Sequence, residues 1–335
     1  MSKNNSASRK KLVSIVIPCY NEEKNIERFE KELIHVCEKF KDYSFEYIAV
    51  DDGSTKDLTW ERLEELSNKH DNFISIKHTR NYGMSGAYQT GFDVCSGDFV
   101  ITYSSDLEIP AIHIKDVIDE LENGADFVNT LRTGRWQESL KGSLVRRLPS
   151  NIAQIFIQKI SGLKIKDNGS GLKGFRKFII ENLRLYGEMH RFMPAYSSVF
   201  TKNIKEIPVE YKDRTYGTSN YGSLKRTISV FLDLFTLKFM LTFSTKPFTF
   251  MPGRAFGSSG FFVFSLGFTI LTYVVVYLKL ILNQNINDRP LFFAGLILLV
   301  TGLQLMMTGL IGELLMRSYF EGSGRKAYIV RQRLN

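Results

Sequence analysis

Cysteine is nearly absent: the 335 residues include three, Cys19, Cys37 and Cys95. The number is odd and the spacings match no zinc pattern. This argues against a disulfide framework and fits a reducing compartment. No Gly-x-Gly-x-x-Gly follows the first apolar segment, which argues against a dinucleotide-dependent dehydrogenase. The net charge is +9, yet neither an aromatic-basic RNA motif nor a zinc-finger spacing accompanies it, so nucleic acid is not an expected partner. No internal repeat or low-complexity tract stands out. The N-terminal tail, residues 1–11, is polar and basic. The apolar stretch that follows, Leu12–Ile17, is too short for a signal peptide and reads as a strand.

Long apolar runs are missing from the first two thirds of the chain and concentrated in the last. Ala255–Leu282 and Leu291–Met316 carry few charges, and a polar link, Asn283–Pro290, separates them. A helix needs about 20 residues to cross the hydrocarbon core, so both runs can span with some tilt. Buried helices of a soluble core are the alternative. Basic residues flank the pair: Lys225, Arg226, Lys238, Lys246 and Arg254 before it, Arg317, Arg325, Lys326, Arg331 and Arg333 after it. The link carries only Arg289, so the bias predicts both chain ends in the cytoplasm and a domain facing it from the inner membrane. Residues 226–254 form an aromatic-rich amphipathic segment, which fits either the membrane interface or a core helix. Residues 317–335 make a basic tail.

Residues 12–225 follow a strand-then-helix rhythm. Strands are predicted at Leu12–Ile17, Phe45–Val50, Phe73–Lys77, Asp98–Tyr103 and Asp126–Thr130. Helices are predicted at Glu23–Phe40, Lys56–His70 (Leu58, Leu63 and Leu66 inward), Met84–Cys95 and Pro110–Asn123, with Pro110 in the first turn. This pattern implies an α/β fold with a mainly parallel sheet covered on both faces. Farther on, the reading is sparser: a helix at Leu144–Ile160, a loop at Asp167–Gly174, a strand at Ile204–Tyr211 and a Gly-rich loop at Lys212–Gly222.

Open sheets of this kind bind ligands beyond the carboxyl ends of their strands. Three polar clusters fall there: Pro18-Cys19-Tyr20-Asn21-Glu22, Asp51-Asp52-Gly53-Ser54 and Ser104-Ser105-Asp106-Leu107-Glu108. Four carboxylates gathered at one edge repel unless a cation or donor groups sit among them. A divalent ion bridging a diphosphate is one solution, because Mg²⁺ and Mn²⁺ take oxygen ligands and commonly use one or two carboxylates plus phosphate oxygens. Capping of the next helix by Asp51 and Ser54 is another.

The segments SIVIPCYNEE, AVDDGSTKD, RNYGMSGAYQTGF and SSDLEIP, continuing into GSGLKGFRK, GEMHRFMP and EIPVEYKDRTYGTSNYG, resemble family 2 glycosyltransferases of the GT-A fold. With the apolar hairpin, the resemblance is to dolichyl-phosphate mannosyltransferases and bacterial polyprenyl-phosphate glycosyltransferases, and it covers residues 12–320. It implies a Rossmann-like GT-A domain followed by interface helices and a transmembrane hairpin. It further implies an inverting transfer of sugar from a UDP- or GDP-linked donor to a polyprenyl phosphate, on a membrane and without nucleic acid; a homo-oligomer is compatible with it.

Carried over by motif, Pro18, Tyr20, Asn21, Glu22, Asp51, Asp52 and Ser105 line the nucleotide-sugar pocket. Asp106 and Glu108 hold Mg²⁺ or Mn²⁺, and Arg132 and Arg214 contact phosphates. His190, Arg191, Asn220 and Arg214 lie near the lipid phosphate. For Arg132 a plain surface role, and for His190 a loop-positioning role, remain alternatives. The chain departs from the family pattern twice. Ser104-Ser105-Asp106 stands where Asp-x-Asp is usual, and Gly217-Thr218-Ser219-Asn220 stands where the motif usually ends in lysine.

Overall fold

The computed structural model describes residues 10–133, 158, 162–185, 187–212, 237–238, 252–286 and 289–322. The chain divides into two compact units, residues 1–241 and 242–335.

The first unit is built on a seven-stranded sheet in the order β3-β2-β1-β4-β6-β5-β7. Its strands are β1 (Lys11–Cys19), β2 (Tyr43–Asp51), β3 (Phe73–Lys77), β4 (Phe99–Thr102), β5 (Phe127–Thr133), β6 (Lys173–Arg176) and β7 (Ile204–Glu210). Strands β1 to β4 are mutually parallel and β5 is parallel to β7, whereas β6 runs antiparallel to both β4 and β5. The continuous apolar run of β1 suits a central strand buried on both faces, and Val13 to Ile17 are fully buried. Pro18 is tolerated inside β1 because β4 pairs only with Val13–Val16, leaving a single partner strand at the level of Pro18.

The helices are α1 (Glu23–Ile26), α2 (His35–Cys37, reached through a π-helical stretch, Glu30–Ile34), α3 (Thr59–Lys69), α4 (Met84–Val94), α5 (His113–Glu122), α6 (Lys177–Asn182) and α7 (Met193–Ser197). They cover the sheet on both faces and close two cores. One is formed around Ile26, Phe29, Leu33, Leu63, Ile114 and Val117. The other is formed around Ala87, Phe92, Phe175, Ile179 and Met193. Helix α4 lies close on the sheet because Gly91 has no side chain; a Cβ there would stand 2.2 Å from Val16 Cγ1.

Two local expectations are corrected. Leu58 lies outside α3 and is exposed, while Leu63 and Leu66 face inward. Pro110 precedes α5, which begins at His113 after a turn. The predicted helix at Leu144–Ile160 and the loop through Gly222 lie largely outside the described residues. In the amphipathic segment Leu237 is fully buried in the second core.

The second unit contains α8 (Pro252–Thr272), which continues as π-helix through Tyr273–Ile281, and α9 (Pro290–Gly322). Both are long and apolar enough to cross a membrane. Only 17% of the most apolar window of the first and 11% of that of the second are buried, unlike the core helices of a soluble protein. The two pack through glycines: a Cβ on Gly302 would lie 2.3 Å from Phe264 N, and one on Gly260 would lie 2.7 Å from Gly302 O.

Candidate active site

The register brings the polar tips to one edge. Cys19 is opposite Asp51, and Val16 is opposite Thr102, so the segments after β1, β2 and β4 emerge together. Strand β6 begins at this same edge because it is antiparallel: Lys173 pairs with Thr102 and with Asn129. The Asp167–Leu172 loop therefore joins the site, which the sequence rhythm alone did not indicate.

On the β1–β2 side, two consecutive aspartates do different work. Asp51 is fully buried. Its Oδ1 accepts the backbone N–H of Ser54 at 2.9 Å and the Ser54 hydroxyl, while its Oδ2 is buried with no partner. Ser54 Oγ in turn accepts the N–H of Asn21, and Asn21 Oδ1 accepts the N–H groups of Thr55 and Lys56. Asp51 thus holds a tight turn and does not cap α3, which starts eight residues later at Thr59. Gly53 sits in this turn at φ +72°, and a Cβ would lie 2.5 Å from the Arg80 backbone, so only glycine fits.

Asp52 faces away from this turn. Its carboxylate accepts the N–H groups of Tyr82 and Gly83 at 2.8 Å each and meets His78 Nδ1 at 2.8 Å; His78 Nε2 reaches Thr90 Oγ1 at 2.9 Å. Asp52 therefore ties the 79–83 loop and the start of α4 to β2. Pro18 is half-buried and Tyr20 exposed beside Asp51, and the Glu22 carboxylate is bonded to Asn25.

On the β4–β6–β5 side, charges meet charges. Ser105 and Asp106 are buried, and Leu107 is held at φ +55°, a left-handed conformation uncommon for a bulky residue. The kink places Asp106 and Glu108 on one short turn, with Asp106 Oδ1 accepting the Glu108 N–H at 3.3 Å. Arg132, at the end of β5, is not a surface residue. Its Nε donates to Asp167 Oδ2 at 2.7 Å, its Nη2 donates to Asp167 Oδ1 at 2.9 Å, and its Nη1 lies 3.6 Å from Glu108 Oε2. Thr102 Oγ1 donates to the Gly171 carbonyl, and a Cβ on Gly171 would stand 2.7 Å from Ser104 Cβ, so the loop is pressed onto the Ser104–Glu108 turn. Behind it, fully buried Lys173 donates to the Ser170 carbonyl. Burial lowers its pKa to about 7; nearby Asp167 opposes that shift and Arg132 adds to it.

His190 is bonded to α4 rather than to the tip carboxylates. Its Nδ1 contacts Ser85 Oγ at 3.0 Å, and the same hydroxyl accepts its backbone N–H. Arg191 pairs with Glu188 at 2.7 Å. These contacts dock the 188–193 segment on α4. Arg214 and Asn220 lie outside the described residues. Lys212, at the start of the Gly-rich loop, is exposed, and its backbone N–H donates to the Glu108 carbonyl.

Residues 14–184 match the model of the family described as glycosyl transferase family 2. The chain is 33% identical to a dodecaprenyl-phosphate galacturonate synthase of Rhizobium johnstonii, over 96% of this chain and 92% of that protein. It is also 33% identical to an undecaprenyl-phosphate 4-deoxy-4-formamido-L-arabinose transferase of Yersinia pestis, over 96% and 93%. The chain belongs to glycosyl transferase family 2. It is a glycosyltransferase with the GT-A fold. Among solved structures, mannosyl-3-phosphoglycerate synthase from Rubrobacter xylanophilus superposes with a TM-score of 0.52 at 16% identity, covering 68% of this chain and 73% of that one, a likeness of fold alone.

His78, Asp167 and Lys173 were not singled out by the sequence. A basic residue at the end of β5 implies an acidic neighbour, but nothing in the spacing says that the neighbour is 35 residues downstream.

Proposed function

We propose that this glycosyltransferase moves a sugar from a UDP- or GDP-linked donor onto the phosphate of a polyprenyl lipid at the cytoplasmic face of a membrane. The observation that carries the reading is the likeness to polyprenyl-phosphate sugar transferases over 96% of the chain, hairpin included.

The donor would lie across the edge described above. Asp51 Oδ2 supports this: a buried carboxylate oxygen without a partner is costly unless a ligand donor completes it, and the N–H edge of a nucleobase is such a donor. Pro18, Tyr20, Asn21, Glu22 and Ser105 would shape the same pocket, with Asp52 acting through the loop it holds. Asp106 and Glu108 suit Mg²⁺ or Mn²⁺. They are hard oxygen donors on one kinked turn, Ser104 adds only a hydroxyl, and no cluster of three His, Cys, Asp or Glu gathers among the described residues. The remaining ligands would then be diphosphate oxygens and water. When bound, the ion would offset negative charge on the departing diphosphate.

The acceptor needs no general base, because a phosphate monoester is already an anion at neutral pH. One of its oxygens would bond to the anomeric carbon as the bond to the nucleoside diphosphate breaks, with inversion. The protein supplies position and charge. Arg132, held between Asp167 and Glu108, would place its positive charge near the phosphates, with Arg214 as a second cation. His190, Arg191 and Asn220 would border the lipid phosphate.

The test is incubation of the full-length protein with a panel of nucleotide sugars and undecaprenyl phosphate, followed by mass spectrometry of the lipid. One sugar should appear on the lipid phosphate. Sugar transfer to water or to a glycan, with none to the lipid, would overturn the acceptor.

A further inference from the structure

Four polar side chains form a row across the catalytic edge. Thr102 is paired with Lys173, Lys173 with Asn129, and Asn129 with Glu206, so β4, β6, β5 and β7 each contribute one residue at the same level. Paired residues project from the same face of a sheet. Lys173 and Asn129 are buried, and Glu206, on the edge strand, is half-buried. Both oxygens of Glu206 hold the segment that leads into the site. Oε1 accepts the N–H groups of Lys166 at 3.0 Å and Asp167 at 3.1 Å, and Asn129 Nδ2 at 2.9 Å; Oε2 accepts the Lys166 N–H at 2.9 Å.

The same Asn129 amide donates to the Asp167 carbonyl at 2.8 Å. The N–H of Asp167 is therefore held from β7 and its C=O from β5. The loop that follows, Asn168-Gly169-Ser170-Gly171, contains two glycines, which sample more backbone conformations than any other residue and would not hold Asp167 unaided. Among the described residues no lysine or arginine pairs with Glu206, so its charge serves N–H groups alone; an ionised acceptor binds these about twice as strongly as a neutral one. Asp167 in turn takes Arg132 through two bonds, from Nε and Nη2, and these fix the plane of the guanidinium. The direction of Nη1, which lies 3.6 Å from Glu108 Oε2, follows from that plane.

We propose that Glu206 is a positioning residue for sugar transfer. Acting through the backbone of Asp167, it sets the orientation of the Arg132 guanidinium and holds that charge where the phosphates react. The inference rests on the reading above that Arg132 serves those phosphates, and it is independent of the sugar and the base.

The test measures turnover of the purified full-length protein in detergent, with undecaprenyl phosphate and the member of the nucleotide-sugar panel that the wild type accepts. Rates are normalised to folded protein. Glu206→Ala should lower kcat by roughly tenfold to a hundredfold, the range for a reacting group displaced by a change away from the chemistry. Glu206→Gln keeps a carbonyl oxygen for the Oε1 contacts and should retain most of the rate. The deciding readout is a double-mutant cycle. Asp167→Asn replaces one carboxylate oxygen with an amide group that cannot accept from Arg132, and it leaves the backbone at that position intact. In that background Glu206→Ala should slow turnover no further, whereas a purely structural prop would lower it by the same factor in both. Should Glu206→Ala not fold, Asn129→Ala, which releases the Asp167 carbonyl, carries the same cycle. An unchanged Glu206→Ala, or equal factors in the two backgrounds, would overturn the proposal. Wild-type turnover in Arg132→Met would remove the phosphate role of Arg132 and the proposal with it. A slow Arg132→Met beside a fast Glu206→Ala would remove the role of Glu206 alone.

Discussion

The two halves of the sheet edge solve the same electrostatic problem differently. Beyond β1 and β2, Asp51 and Asp52 are met by N–H groups, a hydroxyl and His78, and among the described residues no arginine or lysine is bonded to either. Beyond β4, β6 and β5, carboxylates face Arg132 in a buried cluster. The first arrangement is a hydrogen-bonded turn with one open carboxylate oxygen, which would suit a neutral base and ribose. The second builds an array of charge that suits phosphates and a cation. A nucleotide sugar presents those two chemistries side by side, the diphosphate following directly on the base and ribose.

The sharpest break in this contrast is Arg132→Ala. It strips the half-buried Asp167 carboxylate of its guanidinium partner and leaves it backbone N–H contacts such as that from Gly169, and should destabilise the catalytic unit by about 3–5 kcal/mol, read as the loss of denaturation midpoint in detergent. The double variant Arg132→Met/Asp167→Leu should recover much of that stability while staying inactive. A double variant less stable than both single variants would show that the pair is worth more than the packing that replaces it.

Asp106→Asn should come next, lowering transfer about 10²–10³-fold, in the range of a lost transition-state electrostatic contact. Glu108→Gln, which keeps a carbonyl oxygen, should retain partial activity, and Ser104→Asp should lower the Mg²⁺ or Mn²⁺ concentration needed for half-maximal rate. Rates measured across both metals decide it. Full activity in excess EDTA would leave neutralisation of the diphosphate to the arginines.

The neighbouring aspartates allow a finer comparison. Asp51→Asn should raise the KM for the donor about tenfold, a loss of roughly 1.4 kcal/mol, with little change in melting temperature. Asp52→Asn weakens three bonds that hold the 79–83 loop and should cost about 1–3 kcal/mol of stability. Equal thermal effects from both would remove the distinction drawn between them.

The last effect is spread over pH and concerns Lys173. Its folded pKa, about 7, lies below that of an unfolded lysine. Between those values the unfolded chain binds more protons, so stability rises with pH across that window, by about 1.4 kcal/mol per pH unit from this group. Lys173→Met should remove that slope, and its stability relative to wild type should be most favourable near pH 7 and fade as pH increases. Parallel slopes for the two proteins from pH 7 to 9 would show that Lys173 is charged in the fold.

The family, the parallel half of the sheet and the membrane hairpin were legible in the sequence, because each rests on local information: apolar runs, helical periodicity and motif order. Asp51, Asp52, Asp106 and Glu108 were legible as residues of one edge for the same reason, since each follows a strand directly. Their partners were not. The strand β6 is four residues long, has glycine at its second position and pairs antiparallel inside an otherwise parallel rhythm. It carries no periodic signal, so the arrival of Asp167, Ser170 and Lys173 at the site could not be read along the chain.

By itself, then, the sequence determined which chemistry the edge could hold and that the last third of the chain carries two runs long and apolar enough to span a membrane, because side-chain type and apolar length act locally. Tertiary structure alone decided which of two adjacent aspartates keeps an open oxygen, that Arg132 is clamped rather than exposed, and that β6 brings Lys173 to the same edge. Those outcomes depend on which buried polar groups find each other across distant segments, and an unmet hydrogen bond in a low-dielectric interior costs enough to fix them.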